Sequence, residues 1–280
     1  VCLVWGLTWL PVKVAAEHAP PVFLAAARFV LAGALMLAFA GREAFAVERR
    51  SIGLMIVTAV LINTVNYALL FWGVAHAPTG LSAIVNFATI PLYSLGFGVA
   101  FGEERLSGTK LVAVVLGLSG LTLLLATRTG EAMRGEFLGL AAIATGTASY
   151  CLGAVMARPL SRGMGTMTLA GWQTLLGGGG LAIVSMILEG ADGRHLRALT
   201  LWPVWPSLLF LVVAGSLIGF SIYIRLLRDW GPFRAGLYAF VSPAIAVAAG
   251  ALALGERLGI QELAGAGLMF AAAGLALKRA

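Results

Sequence analysis

Charge is scarce in this chain. Only 11% of its 280 residues are Asp, Glu, Lys or Arg, against roughly 25% in a soluble domain, which excludes water as the main solvent. The 12 acidic residues all fall between apolar runs or at their ends, Asp192 and Asp229 among them. That leaves no mid-membrane carboxylate of the kind that proton-coupled antiporters and exporters of lipophilic cations use. Cysteine is nearly absent. Cys2 and Cys151 stand alone inside apolar segments, which argues against a disulfide framework or a thiolate metal site, and both read as small packing residues. No segment alternates with period two, so a membrane β-barrel is excluded. An intramembrane enzyme lacks its usual marks: there is no HExxH, no pair of embedded Asp and no Ser/His pairing. His18, His76 and His195 all fall in connections. Without a phosphate-binding loop, direct ATP drive would need a partner. Neither a metal nor a cofactor is expected.

What the chain has instead is length in apolar runs. Its mean hydropathy is +0.95 and 60% of its residues are hydrophobic. The runs are 1–16, 21–40, 52–75, 79–101, 109–126, 137–157, 166–188, 205–224, 233–254 and 260–277. A bilayer core about 30 Å thick takes about 20 apolar residues per helical crossing, so ten crossings use about 200 residues and leave only short turns. Pro20–Pro21, Pro78, Gly130, Gly163, Gly190, Gly193, Pro232 and Gly259 punctuate those turns. Val1 already lies in an apolar stretch with no charged n-region before it, so the first run reads as a truncated helix rather than a cleavable signal.

The net charge of +7 does not point to nucleic acid, because the basic residues form short clusters between runs rather than one face. They set topology instead. Connections 2–3, 4–5, 6–7 and 8–9 and the C-terminal tail hold twelve Lys and Arg, against six on the other side. Both termini are therefore expected in the cytoplasm.

The sequence also repeats. Pro91 stands thirteen residues before Glu104-Arg105-Leu106, and Pro243 stands thirteen before Glu256-Arg257-Leu258. A Gly-rich run follows each. Lys13 matches Arg158, and Arg28 matches Gln173, at one common offset. Two halves of five helices cross in opposite senses, because five is odd. The expected fold class is thus all-α integral membrane, ten transmembrane helices in two inverted five-helix repeats, 1–130 and 131–280. GxxxG spacings at Gly98–Gly102, Gly135–Gly139 and Gly215–Gly219, with the run Gly177–Gly180, predict close helix packing.

Trp5-Gly6-Leu7-Thr8-Trp9, Arg28 and the duplicated Pro…Glu-Arg-Leu…Gly block resemble the EamA repeats of the drug/metabolite transporter superfamily. Among its branches the chain looks most like the bacterial aromatic amino-acid exporters. The resemblance implies ten helices, cytoplasmic termini, and a central cavity lined by helices 1, 3, 4, 6, 8 and 9. The related small multidrug transporters carry an acid in helix 1, where this chain has Thr8 and Trp9.

Arg28 is the sharpest single signal. It lies about eight residues, hence about 12 Å, into the second run. A central Arg costs roughly 2.5–3.5 kcal/mol on insertion scales, so something must compensate it. The partner is either a substrate carboxylate or neighbouring helix groups, the second favoured by an expected place outside the cavity wall. Lys13 and Arg158, near run ends, read as snorkelling. Asn63, Asn66 and Tyr67 fall at i, i+3 and i+4, on one helix face, and a buried amide needs protein or water rather than lipid. With Asn86, Tyr93, Tyr150, Tyr223, Tyr238 and Ser242 they form a candidate substrate-binding set. Trp5 and Trp9 share a face and either stack on a substrate or pack between helices. Trp202, Trp205 and Trp230 read as interfacial anchors. Pro91 and Pro243, each in mid-run, are candidate hinges. Glu104 and Glu256, at membrane edges beside an Arg, read as interfacial ion pairs or helix caps.

Together these features predict a secondary transporter in a bacterial inner membrane, exporting small neutral or zwitterionic metabolites, with aromatic or other hydrophobic amino acids favoured. The expected partners are a small-molecule substrate and the lipid bilayer, with the chain a monomer or weak homodimer. A multidrug or other metabolite exporter of the same fold, a channel and an intramembrane enzyme are the alternatives.

Overall fold

The computed structural model of the chain describes residues 1–77, 79–126, 137–190, 193–245 and 259–277. Pro78, the 130/131 boundary and the second Glu-Arg-Leu, at 256–258, lie outside the described residues, as do the side chains of Trp9 and Lys13. Every regular element among the described residues is helical, as an apolar environment requires when each backbone group must find its partner within the segment.

The first run forms two short helices, α1 (Cys2–Leu7) and α2 (Trp9–Ala16), rather than one. Pro11 lacks an N–H for the Leu7 carbonyl and its ring crowds that turn. Thr8 Oγ1 turns back to the Trp5 carbonyl at 2.7 Å. Next come α3 (Pro21–Ala40) and a 3₁₀ turn (Gly41–Phe45). The third run is α4 (Arg49–Ala59), a π turn (Val60–Val65) and α5 (Asn66–His76). Then follow α6 (Thr79–Ala100), with Pro91 inside it, and α7 (Gly108–Ala126). In the second half, α8 (Phe137–Gly163) and α9 (Thr166–Leu188) precede the short α10 (Gly193–Ala198). A second π turn (Leu211–Ile218) joins α11 (Val204–Phe210) to α12 (Gly219–Trp230). Finally come α13 (Pro232–Gly236), α14 (residues 238–245), which holds Pro243, and α15 (Ile260–Leu277).

Among the described residues, five helical stretches are long and apolar enough to cross a membrane: Pro21–Phe45, Arg49–Val74, Phe137–Gly163, Thr166–Leu188 and Val204–Trp230. Val85–Ala100, Gly108–Leu123 and Leu263–Leu277 are shorter apolar helices. Two helix ends lie well beyond those read in the sequence. The sixth run extends through Pro159 to Gly163, and the eighth continues to Trp230. The latter turns into α13 at Gly231 alone. Its φ of 84° suits glycine, and a Cβ there would stand 2.6 Å from Glu104 Oε1.

Glycine brings α3 and α9 together. A Cβ on Gly178 would lie 2.8 Å from the Val30 amide nitrogen, and one on Gly171 would lie 3.1 Å from that of Leu37. Such contacts gain dispersion energy where lipid offers no hydrophobic drive. The π turn Val60–Val65 packs on the same seam, with Thr64 Oγ1 donating to the Gly177 carbonyl at 3.0 Å. At one end Glu189 accepts from the backbone N–H of Val22 and of Phe23, both at 2.8 Å, capping α3 with a carboxylate. At the other end Trp172 Nε1 donates to the Ala44 carbonyl.

The connections rich in Lys and Arg gather at that second end. Glu103 pairs with Arg158 at 2.6 Å and Arg162 at 3.1 Å, both on α8. Glu104 pairs with Lys110 at 2.6 Å and accepts from the Phe233 N–H that opens α13. Glu104 is thus both an ion pair and a helix cap. Arg158 does not snorkel: its side chain is 13% exposed and tied to a carboxylate.

Candidate functional site

A cavity of about 170 Å³ occupies the middle of the bundle and runs toward the α2–α3 turn, where Ala16 and Pro21 border it. Its far end is aromatic. Trp5 packs edge-on against Tyr238 at 4.5 Å and Phe220 at 5.5 Å between ring centroids, with Tyr223 at 5.5 Å behind. Tyr238 Oη donates to Tyr150 Oη at 3.3 Å. Trp5, Tyr150 and Tyr238 line the cavity, as does Ser242, whose hydroxyl donates to the Cys2 carbonyl.

The π turn Leu211–Ile218 shapes one wall. Gly219 N–H reaches back to the Ala214 and Ser216 carbonyls, passing over the Gly215 carbonyl. That carbonyl instead accepts from Trp5 Nε1 at 2.9 Å. A π turn often marks a functional site, because the wider turn leaves backbone groups to other partners. The Gly215–Gly219 spacing lets α1 approach: a Cβ at Gly219 would collide with the Trp5 indole.

Arg28 reaches this wall from α3. It is 8% exposed, and its Nε donates to Ser216 Oγ at 2.9 Å. The sequence suggested a place outside the cavity wall; the structure differs, because Pro21, Leu24, Ala25 and Arg28 all border the cavity. The helices implied by resemblance therefore lacked the second one. Among the described residues no acidic side chain borders the cavity.

The opposite wall carries Asn66 and Tyr67 at the start of α5, Asn86 on α6 and Thr147 on α8. Thr147 Oγ1 stands 2.9 Å from Asn86 Oδ1 and ties that amide to α8 at the cavity's edge. Tyr67 packs edge-on against Phe29 at 4.7 Å.

Three of the proposed residues lie elsewhere. Asn63 does not share the face of Asn66 and Tyr67. The π turn between them widens the helix and rotates it out of α register, so Asn63 Nδ2 donates to the Gln173 carbonyl at 3.0 Å. Tyr223 sits behind the cavity beside Asn63 and Gln173. Tyr93 stacks with Phe97. The side chain of Trp9 lies outside the described residues. Pro91 and Pro243 are both buried in their helices. Thr8, Ser216, Thr147 and Phe220 border or shape the site without having been singled out. Hydroxyls in apolar helices usually bond their own preceding turn, as Thr147 also does to the Ile143 carbonyl, so their spacing carries little signal.

The model of the EamA-like transporter family matches this sequence twice, over residues 1–126 and 137–278. The chain is 30% identical over 258 residues to the uncharacterized inner membrane transporter YedA of Escherichia coli K12, covering 91% of this chain and 81% of that one. It is 29% identical over 279 residues to a probable amino-acid metabolite efflux pump of Salmonella typhimurium LT2, covering 97% and 90%. A solved crystal structure superposes with a TM-score of 0.83 at 19% identity, over 99% of this chain and 93% of that one.

Proposed function

This chain belongs to the EamA-like transporter family, and on that premise we propose that it is a secondary carrier exporting small neutral or zwitterionic metabolites, aromatic and other hydrophobic amino acids first among them. The observation that carries this reading is the make-up of the cavity. An aromatic end suits an apolar side chain, amides at Asn66 and Asn86 suit polar main-chain groups, and Arg28 is the one charge on the wall among the described residues. The described lining offers a cation no counter-charge and a proton no carboxylate to ride on. The name of the Salmonella relative, an amino-acid metabolite efflux pump, points the same way. The substrate-binding set is Trp5, Arg28, Asn66, Tyr67, Asn86, Tyr150, Tyr238 and Ser242.

In this reading the chain makes ten crossings of a bacterial inner membrane, in two inverted five-helix repeats, with both termini in the cytoplasm. The double family match and the grouping of Lys- and Arg-rich connections at one end support it. The cavity runs away from that end, so the arrangement corresponds to the outward-facing stage of an alternating-access cycle. Pro91 and Pro243, each lacking a helical N–H, are the hinges on which the halves rock. Counterflow tests the carrier. Liposomes holding purified protein are loaded with unlabelled tryptophan and given labelled tryptophan outside, at equal pH. Saturable accumulation that an uncoupler does not reduce is expected. Flux that appears only with an imposed pH gradient would contradict the uncoupled mechanism. A linear, non-saturating leak would contradict the carrier.

A further inference from the structure

Arg28 borders the cavity as a buried cation that meets no carboxylate among the described residues. Its guanidinium has five N–H donors. One, on Nε, goes to Ser216 Oγ at 2.9 Å, and Ser216 is itself fully buried. The guanidinium carbon stands 5.1 Å from the centre of the Phe29 ring. No further hydrogen bond to a described residue holds it, so the four donors on Nη1 and Nη2 remain.

This arrangement selects one of the two forks that a guanidinium can offer a carboxylate. The Nε–Nη fork is taken by the serine hydroxyl. The Nη1–Nη2 fork is open, and two parallel N–H···O bonds from it match carboxylate geometry. The π turn makes this possible in two ways. It presents Ser216 to Nε, and beside it stands Gly215, where a Cβ would lie 2.9 Å from Nη2. Trp5 Nε1, bonded to the Gly215 carbonyl, holds the same turn in place. An uncompensated buried cation is costly, and a carboxylate arriving from solution removes that cost where a neutral or cationic solute does not.

We infer that Arg28 is an end-on receptor for a substrate carboxylate and that Ser216 is its positioning residue. The inference rests on the cavity being the transport site. It narrows the zwitterionic cargo to monocarboxylates that carry an apolar group, and extends it to their deaminated, anionic counterparts. The matching amines and amides are rejected.

Thermal unfolding of the purified full chain in detergent, titrated with four indole ligands, tests this. Tryptophan and indole-3-propionate carry the carboxylate; tryptophanamide and tryptamine do not. The two acids should raise Tm and the other two should not. Arg28→Gln should weaken acid binding about 100-fold, and Ser216→Ala about tenfold, as the loss of charged hydrogen bonds implies. The acid-over-amide preference should shrink in both variants. A purely structural Ser216 would lower Tm and leave that preference intact, overturning its assignment. Equal shifts by acid and amide, unchanged acid affinity in Ser216→Ala should Arg28→Gln not fold, or no shift by any ligand would overturn the proposal. Counterflow separates this inference from the carrier reading. Acid binding without counterflow would sink the carrier and keep the carboxylate receptor. Tryptamine counterflow equal to that of tryptophan would do the reverse.

Discussion

Arg28 on α3 and Gln173 on α9 stand at matching places in the two halves of the sequence, and each meets a π turn from the other half. Their fates differ. Gln173 lies in a closed seam: its Nε2 donates to Thr58 Oγ1 at 2.9 Å and its backbone carbonyl accepts from Asn63 Nδ2. Arg28 meets Ser216 and is otherwise turned to the cavity. The same local device is therefore used twice, once to lock helices together and once to hold a polar group open. Buried polar groups are nearly always satisfied, so those that border a cavity without a partner mark where a ligand is received.

Several substitutions break or sharpen that comparison. The largest effect belongs to the seam. Gly178→Leu would drive a side chain into the Phe29 and Val30 backbone, costing on the order of 3 kcal/mol or more, since backbone cannot yield as a side chain can. Loss of the monodisperse peak in size-exclusion chromatography is the expected outcome. Gly179→Leu, whose Cβ meets nothing within 4 Å, should leave the peak unchanged.

Glu189→Ala removes the acceptor for two α3 amides and for Ser185 Oγ. Stability should fall by about 1–3 kcal/mol, read as a lower Tm, while the KM of counterflow stays where it was. At the opposite end, Glu103→Gln weakens the links to Arg158 and Arg162 that join the α6–α7 connection to α8. The inward-facing population should rise, measured as faster labelling of a cysteine placed at Ser161 by a reagent added from the cytoplasmic side. The smallest and sharpest contrast is Asn63→Ala against Asn66→Ala. The first should cost about 1–2 kcal/mol and leave KM alone; the second should raise KM with stability within about 0.5 kcal/mol.

Much of the helical framework was legible. Long apolar runs, Gly177–Gly180 and the misplaced charge of Arg28 each have a direct physical meaning in lipid, and the structure uses the glycines as backbone contacts. What escaped the reading depends on departures from regular geometry. Periodicity put Asn63 with Asn66 because it assumes one turn length throughout, and nothing in the residues Val60–Val65 announces a π turn. Thr8 divides the first run because Pro11 acts one turn upstream, a break that composition smooths over. Arg158 looked like a snorkelling residue because Glu103 lies 55 positions away in sequence, and only the fold brings them within 2.6 Å.

The most direct measurement is cysteine accessibility. Both native thiols, Cys2 and Cys151, are replaced by serine, and a single cysteine is put at position 66 or at position 63. A membrane-impermeant maleimide added from the outside should label Asn66→Cys, and tryptophan should protect it; Asn63→Cys should stay unlabelled. Labelling of both positions alike, or no protection of Asn66→Cys by any amino acid, would contradict the cavity as the place where substrate sits.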